Sequence, residues 1–219
     1  MRFSFYYKLI CLFSFLSFFL HFTINQSFAQ NHEQLFNLEG FFVPKFIKKI
    51  ELEDSSTSKP KQDLDSLYRQ LRRTVDEGEA WIISKKIQVH WQNTGLKTLD
   101  LLLEASETAM LKGENAKALD FLDMLIGLKP DFSEAWCRRA LIHMKNYDMP
   151  MAMSDLGQAL EYNPKNFWAL TLLGVVLEVT GHETLALKAY YQTLEIYPQM
   201  LFVQDRIMFL TEKNVLIKS

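Results

Sequence analysis

The chain has 219 residues, 48% of them apolar and 23% charged, with a net charge of −2. That length and apolar content suffice for one compact domain with a real core and leave few residues for a second. The mild acidity argues against nucleic acid or an anionic membrane surface as the main partner, since both call for a basic patch.

Residues 1–29 read as a secretory signal peptide. Arg2 and Lys8 give the positive start, residues 9–20 are apolar apart from Ser14 and Ser17, and Ser27 and Ala29 put small residues at the −3 and −1 positions of a cleavage site. Its removal takes the net charge from −2 to −4, because Arg2 and Lys8 leave with it. The competing reading is an uncleaved anchor in the inner membrane. A span takes about 20 mostly apolar residues, and His21, Thr23, Asn25 and Gln26 interrupt this run too soon. Cys11 lies inside the run and lacks the small residues that a lipoprotein signal places before its cysteine. The expectation is an exported, periplasmic protein with no stable membrane insertion after cleavage.

Residues 30–62 read as an arm and flexible linker. Phe41, Phe42, Val43, Phe46 and Ile47 make a short apolar patch among Lys45, Lys48 and Lys49, which reads as an extended arm partly packing on the repeats rather than as a docking segment for a partner or a membrane surface. The stretch 53–62 is polar, with serines and Pro60, and reads as the linker itself.

Residues 63–98 carry two helical stripes: Leu64, Leu67, Leu71 and Val75, then Ala80, Ile83, Ile87 and Trp91. Gly78 falls between them and Gly95 stops the second. The stretch reads as a degenerate helix pair that caps a longer helical stack.

Residues 99–200 repeat themselves. Pro130, Pro164 and Pro198 stand 34 residues apart, and Ala118, Ala152 and Ala186 keep the same interval. Gly113 and Gly181 each sit five residues ahead of their alanine. Such a period marks a helix–turn–helix repeat, in three copies at 99–132, 133–166 and 167–200. Within the third, Leu170, Leu173, Gly174 and Leu177 share one face of a first helix. The proline ending each copy opposes continuation of its helix. The second copy has Tyr147 where glycine turns the others, and Asn146 or Asp148 is expected to take that left-handed turn. Beyond the repeats, residues 201–219 form an apolar stripe of Val203, Ile207 and Leu210, as a C-terminal capping helix would.

The three copies resemble the tetratricopeptide repeat (TPR) family. Leu102, Trp136 and Leu170 stand at its position 4; Ser106, Ala140 and Gly174 at position 8; the three alanines at position 20; Leu125, Ala159 and Thr193 at position 27. The resemblance implies an all-α TPR solenoid of helix–turn–helix units: three clear repeats, a degenerate N-terminal helix pair and a C-terminal capping helix. It also implies that positions 2, 5, 9, 12 and 13 line a concave groove. Carried over, the partner-binding groove holds Leu103, Glu107, Met110 and Leu111; then Cys137, Leu141, Met144 and Lys145; then Thr171, Val175, Glu178 and Val179. Leu141 lies near its centre. This lining is mostly apolar and includes two methionines, which adapt to varied surfaces. The competing reading has the chain's own termini covering it. Leu103 and Glu107 stand where chaperone-binding members carry lysine and asparagine, so a carboxylate clamp is not expected.

No catalytic constellation emerges. His32, His90, His143 and His182 form no pair at metal-binding spacing, Cys137 stands alone after processing, and no phosphate-binding or nucleophile-elbow motif occurs. No catalytic residue, metal or cofactor is expected. The function expected is a non-catalytic protein–protein interaction module, a scaffold or assembly factor of the bacterial cell envelope. Its partner is another protein or a peptide segment rather than nucleic acid. The alternative is an accessory or catalytic component acting on envelope material.

Overall fold

The computed structural model describes residues 63–218. The leader, arm and linker assigned to residues 1–62 lie outside the described residues. Regular structure among the described residues is all helical: α1 (Leu64–Arg73), α2 (Glu77–Gln92), α3 (Lys97–Leu111), α4 (Asn115–Leu128), α5 (Ser133–Lys145), α6 (Met149–Tyr162), α7 (Phe167–Val179), α8 (Glu183–Ile196) and α9 (Leu201–Lys218). The three copies are the hairpins α3–α4, α5–α6 and α7–α8.

Each hairpin closes on small residues. Ala118, Ala152 and Ala186 are fully buried where the second helix crosses the first, as are Ser106 and Ala140 on the first helix. At Gly174 the approach is tighter still: a Cβ there would lie 2.3 Å from Cε1 of Tyr190. That tyrosine is buried and donates to Glu178 Oε2 at 2.9 Å, so its ring has a fixed place. The second helices end at Leu128, Tyr162 and Ile196, each two residues before its proline. Copies then stack, α5 on α4, α7 on α6 and α5, and α9 on α8. Arg139 ties three helices together, donating through Nε and Nη2 to Asp155 on α6 at 2.9 and 2.7 Å and through Nη1 to Asp123 on α4 at 2.7 Å.

The hairpin turn of the second copy differs from expectation. Gly113 and Gly181 take φ of 75° and 81°, and the residue in the equivalent place is Tyr147 itself, at φ 61°. Asn146 stays in the last helical turn as the C-cap of α5, and Asp148 is the N-cap of α6, accepting from Met151 N at 3.2 Å. The hydrogen-bond register explains the difference. Tyr147 N donates to Met144 O and Asp148 N to His143 O, as Gly113 N and Glu114 N do to Met110 O and Ala109 O. Packing of the two helices fixes which residue must turn, and Tyr147 bears the strain.

The N-terminal pair forms as expected but does not sit as the layer ahead of the first copy. α1 packs on α2 and α8, and α2 packs on α5, so the pair lies across the second and third copies. Leu67, Leu71, Ala80, Ile83 and Ile87 are buried as their stripes require, whereas Val75 is exposed beyond the end of α1. The corner into α3 is set by Gly95 at φ 79° and by Thr94, whose N and Oγ1 donate to Asp100 Oδ1 at 3.0 and 2.6 Å. On α9, Val203 and Leu210 are buried and Ile207 half-buried.

Tyr147→Gly removes a left-handed non-glycine residue whose side chain is largely exposed. It should raise stability by about 1 kcal/mol, read as a higher midpoint in urea; a lower midpoint would refute the account of the turn.

Candidate functional site

The concave side begins with the residues that open each first helix. Ser133 and Phe167 start α5 and α7, followed by Glu134 and Trp168 at position 2. α2 lies against this row. Its Lys85 ammonium is 5.6 Å from the ring centre of Trp81 and 5.8 Å from that of Trp168, within cation–π range. Lys85 also donates to Gln88 Oε1 at 3.3 Å. The Trp91 and Phe167 rings lie 4.7 Å apart. Trp91 Nε1 donates to the Tyr68 hydroxyl at 3.0 Å, and that hydroxyl donates to the Lys165 carbonyl at 3.4 Å. Gln199 Nε2 donates to the Thr74 carbonyl at 3.1 Å. Aromatic area and a few polar clasps together hold the pair in place.

A chain of alternating charges runs under this contact. Lys85 of α2 faces Glu134 of α5, Glu134 accepts from Arg138 Nε at 3.0 Å, and Arg138 pairs in turn with Glu107 of α3. Burial pushes the Lys85 ammonium below its ordinary pKa and pushes the Glu134 carboxyl up, the second effect opposed by Arg138. Buried charges persist only when paired and hydrogen-bonded, and the chain spans three helices. A matching pair, Glu178 with Arg206, ties α7 to α9.

The groove residues expected from sequence divide three ways. Leu103 belongs to the core of the first copy, packed with Leu122, Leu125 and Phe132. Cys137, Leu141, Met144, Thr171 and Val175 are buried. Leu141, expected near the centre of the groove, is itself buried at 6% exposure. Glu107 and Glu178 are engaged by Arg138 and Arg206. Met110, Lys145 and Val179 remain half-buried and Leu111 exposed, all at the C-terminal ends of α3, α5 and α7. Burial raises the Cys137 thiol well above its ordinary pKa, with Glu134 adding to the effect, so the thiolate is suppressed. Among the described residues no three of His, Cys, Asp and Glu converge to hold a metal ion. No helix among them is long and apolar enough to cross a membrane.

Sequence reasoning missed Glu134, Trp168 and Lys85 as the meeting point. The first two stand at position 2, on the same stripe as position 5, and that spacing was the available signal. Nothing local marks Lys85.

Stacked helix hairpins with small residues at each crossing and a concave face built from their first helices define a helical-repeat binding protein. No family model matches the chain. A TPR repeat-containing protein of Rhizobium etli is 37% identical over 159 residues, which cover 73% of this chain and 78% of that one. The chain belongs to the tetratricopeptide repeat family. Among solved structures, the first TPR of Spaghetti (RPAP3), bound to an HSP90 peptide, is similar with a TM-score of 0.52 at 18% identity, over 53% of this chain and 93% of that one. MamA is similar with a TM-score of 0.51 at 22% identity, over 70% of this chain and 81% of that one. The Sgt2 TPR domain from Aspergillus fumigatus gives 0.52 at 19% identity, over 56% and 83%. At these identities the structures share the fold.

Burial raises the Tyr68 hydroxyl to a pKa of about 12, the Trp91 hydrogen bond partly opposing it. A folded-state pKa above the unfolded one gives stability that is complete below about pH 10 and lost as the pH rises through about 12. Tyr68→Phe should flatten that alkaline loss. At neutral pH it should cost about 1–3 kcal/mol by leaving Trp91 Nε1 without its acceptor. Urea melts at pH 7 and pH 11, followed by tryptophan fluorescence, check both; equal alkaline losses in the two proteins would refute it.

Proposed function

We propose that this chain is an exported, non-catalytic scaffold of the bacterial cell envelope that holds an apolar segment of another protein on the part of the concave face that α2 leaves open. The observation that carries this reading is the row Met110–Leu111, Lys145 and Val179. These residues close three successive first helices, and they are half-buried or exposed where the rest of the lining is closed. The largely apolar side chains of this row suit an apolar segment. A carboxylate clamp is disfavoured, because Leu103 is core and Glu107 is spent on Arg138. Export rests on the charged start, apolar run and small-residue cleavage site of residues 1–29. By analogy of fold, the peptide-bound TPR of Spaghetti supports a peptide segment as the ligand class.

Two measurements test the two halves of the proposal. Mass spectrometry of the protein from its own host should find a mature N-terminus at or near Gln30; an intact Met1 in the membrane fraction would favour the anchor. A photo-crosslinking residue replacing Val179 should trap a second envelope protein that one replacing exposed Glu161 does not. Leu111→Glu in the same chain should lower the yield of that adduct about tenfold, equivalent to 1.4 kcal/mol. Equal trapping from Val179 and Glu161 would place the partner elsewhere.

A further inference from the structure

Repeat symmetry supplies an internal standard for which faces ought to be covered. Position 3 is occupied by Ala135 on α5, Ala169 on α7 and Val203 on α9, each at 0% exposure beneath the preceding copy. On α3 the same position is Leu101, and it is 57% exposed. Ile142, Val176 and Leu210, one further stretch along that face, are likewise buried, while their counterpart Thr108 is exposed. Among the described residues the upstream helix pair packs on α5 and α8 rather than on this leading face of the first copy, where Leu96 is exposed as well.

The other end of the stack is open in a complementary way. Ser106, Ala140 and Gly174 at position 8 all lie under the second helix of their copies. The same position on α9 is Met208, which has no second helix over it among the described residues and is 57% exposed. Leu201 and Val215, seven residues to either side, extend it into a stripe at 48% and 64% exposure. This stripe faces away from the buried Val203 and Leu210. Terminal repeats stay soluble by turning a polar face outward; here Leu96 and Leu101 stand exposed among polar residues at one end, and Leu201, Met208 and Val215 at the other.

We propose that these two faces bind each other between copies of this chain, the stripe of α9 on one molecule seating against the leading face of α3 on the next. Charge favours the second copy as the occupant. On the face of Leu101 stand Lys97, Glu104 and Lys112, one positive charge in balance, and on the face of Met208 stand Asp205 and Glu212, two negative, all five exposed. The contact continues the stacking used inside the chain, an apolar helix face laid on the exposed face of the copy before it. It is head-to-tail, so each association leaves one free end of each kind, and assembly proceeds to open chains rather than stopping at a dimer. It uses neither the row of half-buried groove residues nor α2, and stands independently of the envelope partner and its groove.

Sedimentation velocity on the protein purified from its host should show a mass that grows past two chains as concentration rises through the micromolar range. Leu101→Glu and Met208→Glu should each hold it at one chain, with circular dichroism and melting temperature unchanged, because both side chains are more than half exposed. Mixed in equal amounts, the two variants should form a two-chain species and nothing larger, since one keeps only the α9 face and the other only the α3 face. Lys97→Glu should weaken assembly and Glu212→Lys in the same chain should restore it. A wild-type protein that stays monomeric throughout, variants that assemble like wild type, or an effect of Leu101→Glu without one of Met208→Glu would each overturn the proposal.

Discussion

Two helices can lie as close as α7 and α8 only where a side chain is nearly missing, and that constraint governs the molecule. A Cβ on Gly174 would have to share space with the ring of Tyr190. Because each copy closes on alanine, serine or glycine, its first helix presents one face to its own partner and one to the preceding copy. A third face turns to the concave side. Core, stacking surface and groove are these three faces, and each hairpin sets its orientation before any long-range contact is made.

The concave face is then decided by what α2 brings to it. The Lys85 ammonium lies within cation–π range of Trp81 and Trp168 and is coupled to Glu134, so it anchors α2 at one point of this face. A buried lysine costs free energy wherever it is imperfectly compensated, and here two indole rings and Glu134 offset part of that cost. The result is a groove divided along its length, with the N-terminal ends of α5 and α7 covered and the C-terminal ends left accessible.

The repeats were legible because the same physical demand recurs every 34 residues: alanine where helices cross, proline after the second helix. A demand that recurs is read three times and confirms itself. The site was legible only in part. Leu67, Leu71, Ile83 and Ile87 announce that α1 and α2 bury a face, but an amphipathic stripe says nothing of what lies against it. The answer is held by Lys165 and Gln199, far along the chain. Tyr147 failed for a related reason. Residue preference favoured its neighbours for the turn, while hairpin register, a property of two packed helices, chose the tyrosine. Leu141 was placed in the groove by its position in the repeat, which fixes the helix face but not how much of that face is buried.

The clasp from Tyr68 to Lys165 and from Thr74 to Gln199 joins residues 97 and 125 positions apart. Hairpins of a repeat stack complete themselves from neighbouring sequence, so α3–α4 can close soon after it leaves the ribosome. The N-terminal pair emerges earlier and must wait until the third copy and the turn beyond it have been made. At ordinary rates of synthesis that delay is on the order of ten seconds. Throughout it α1 lacks its contact with α8, so of the described helices the first to be made is housed only after the third copy has formed.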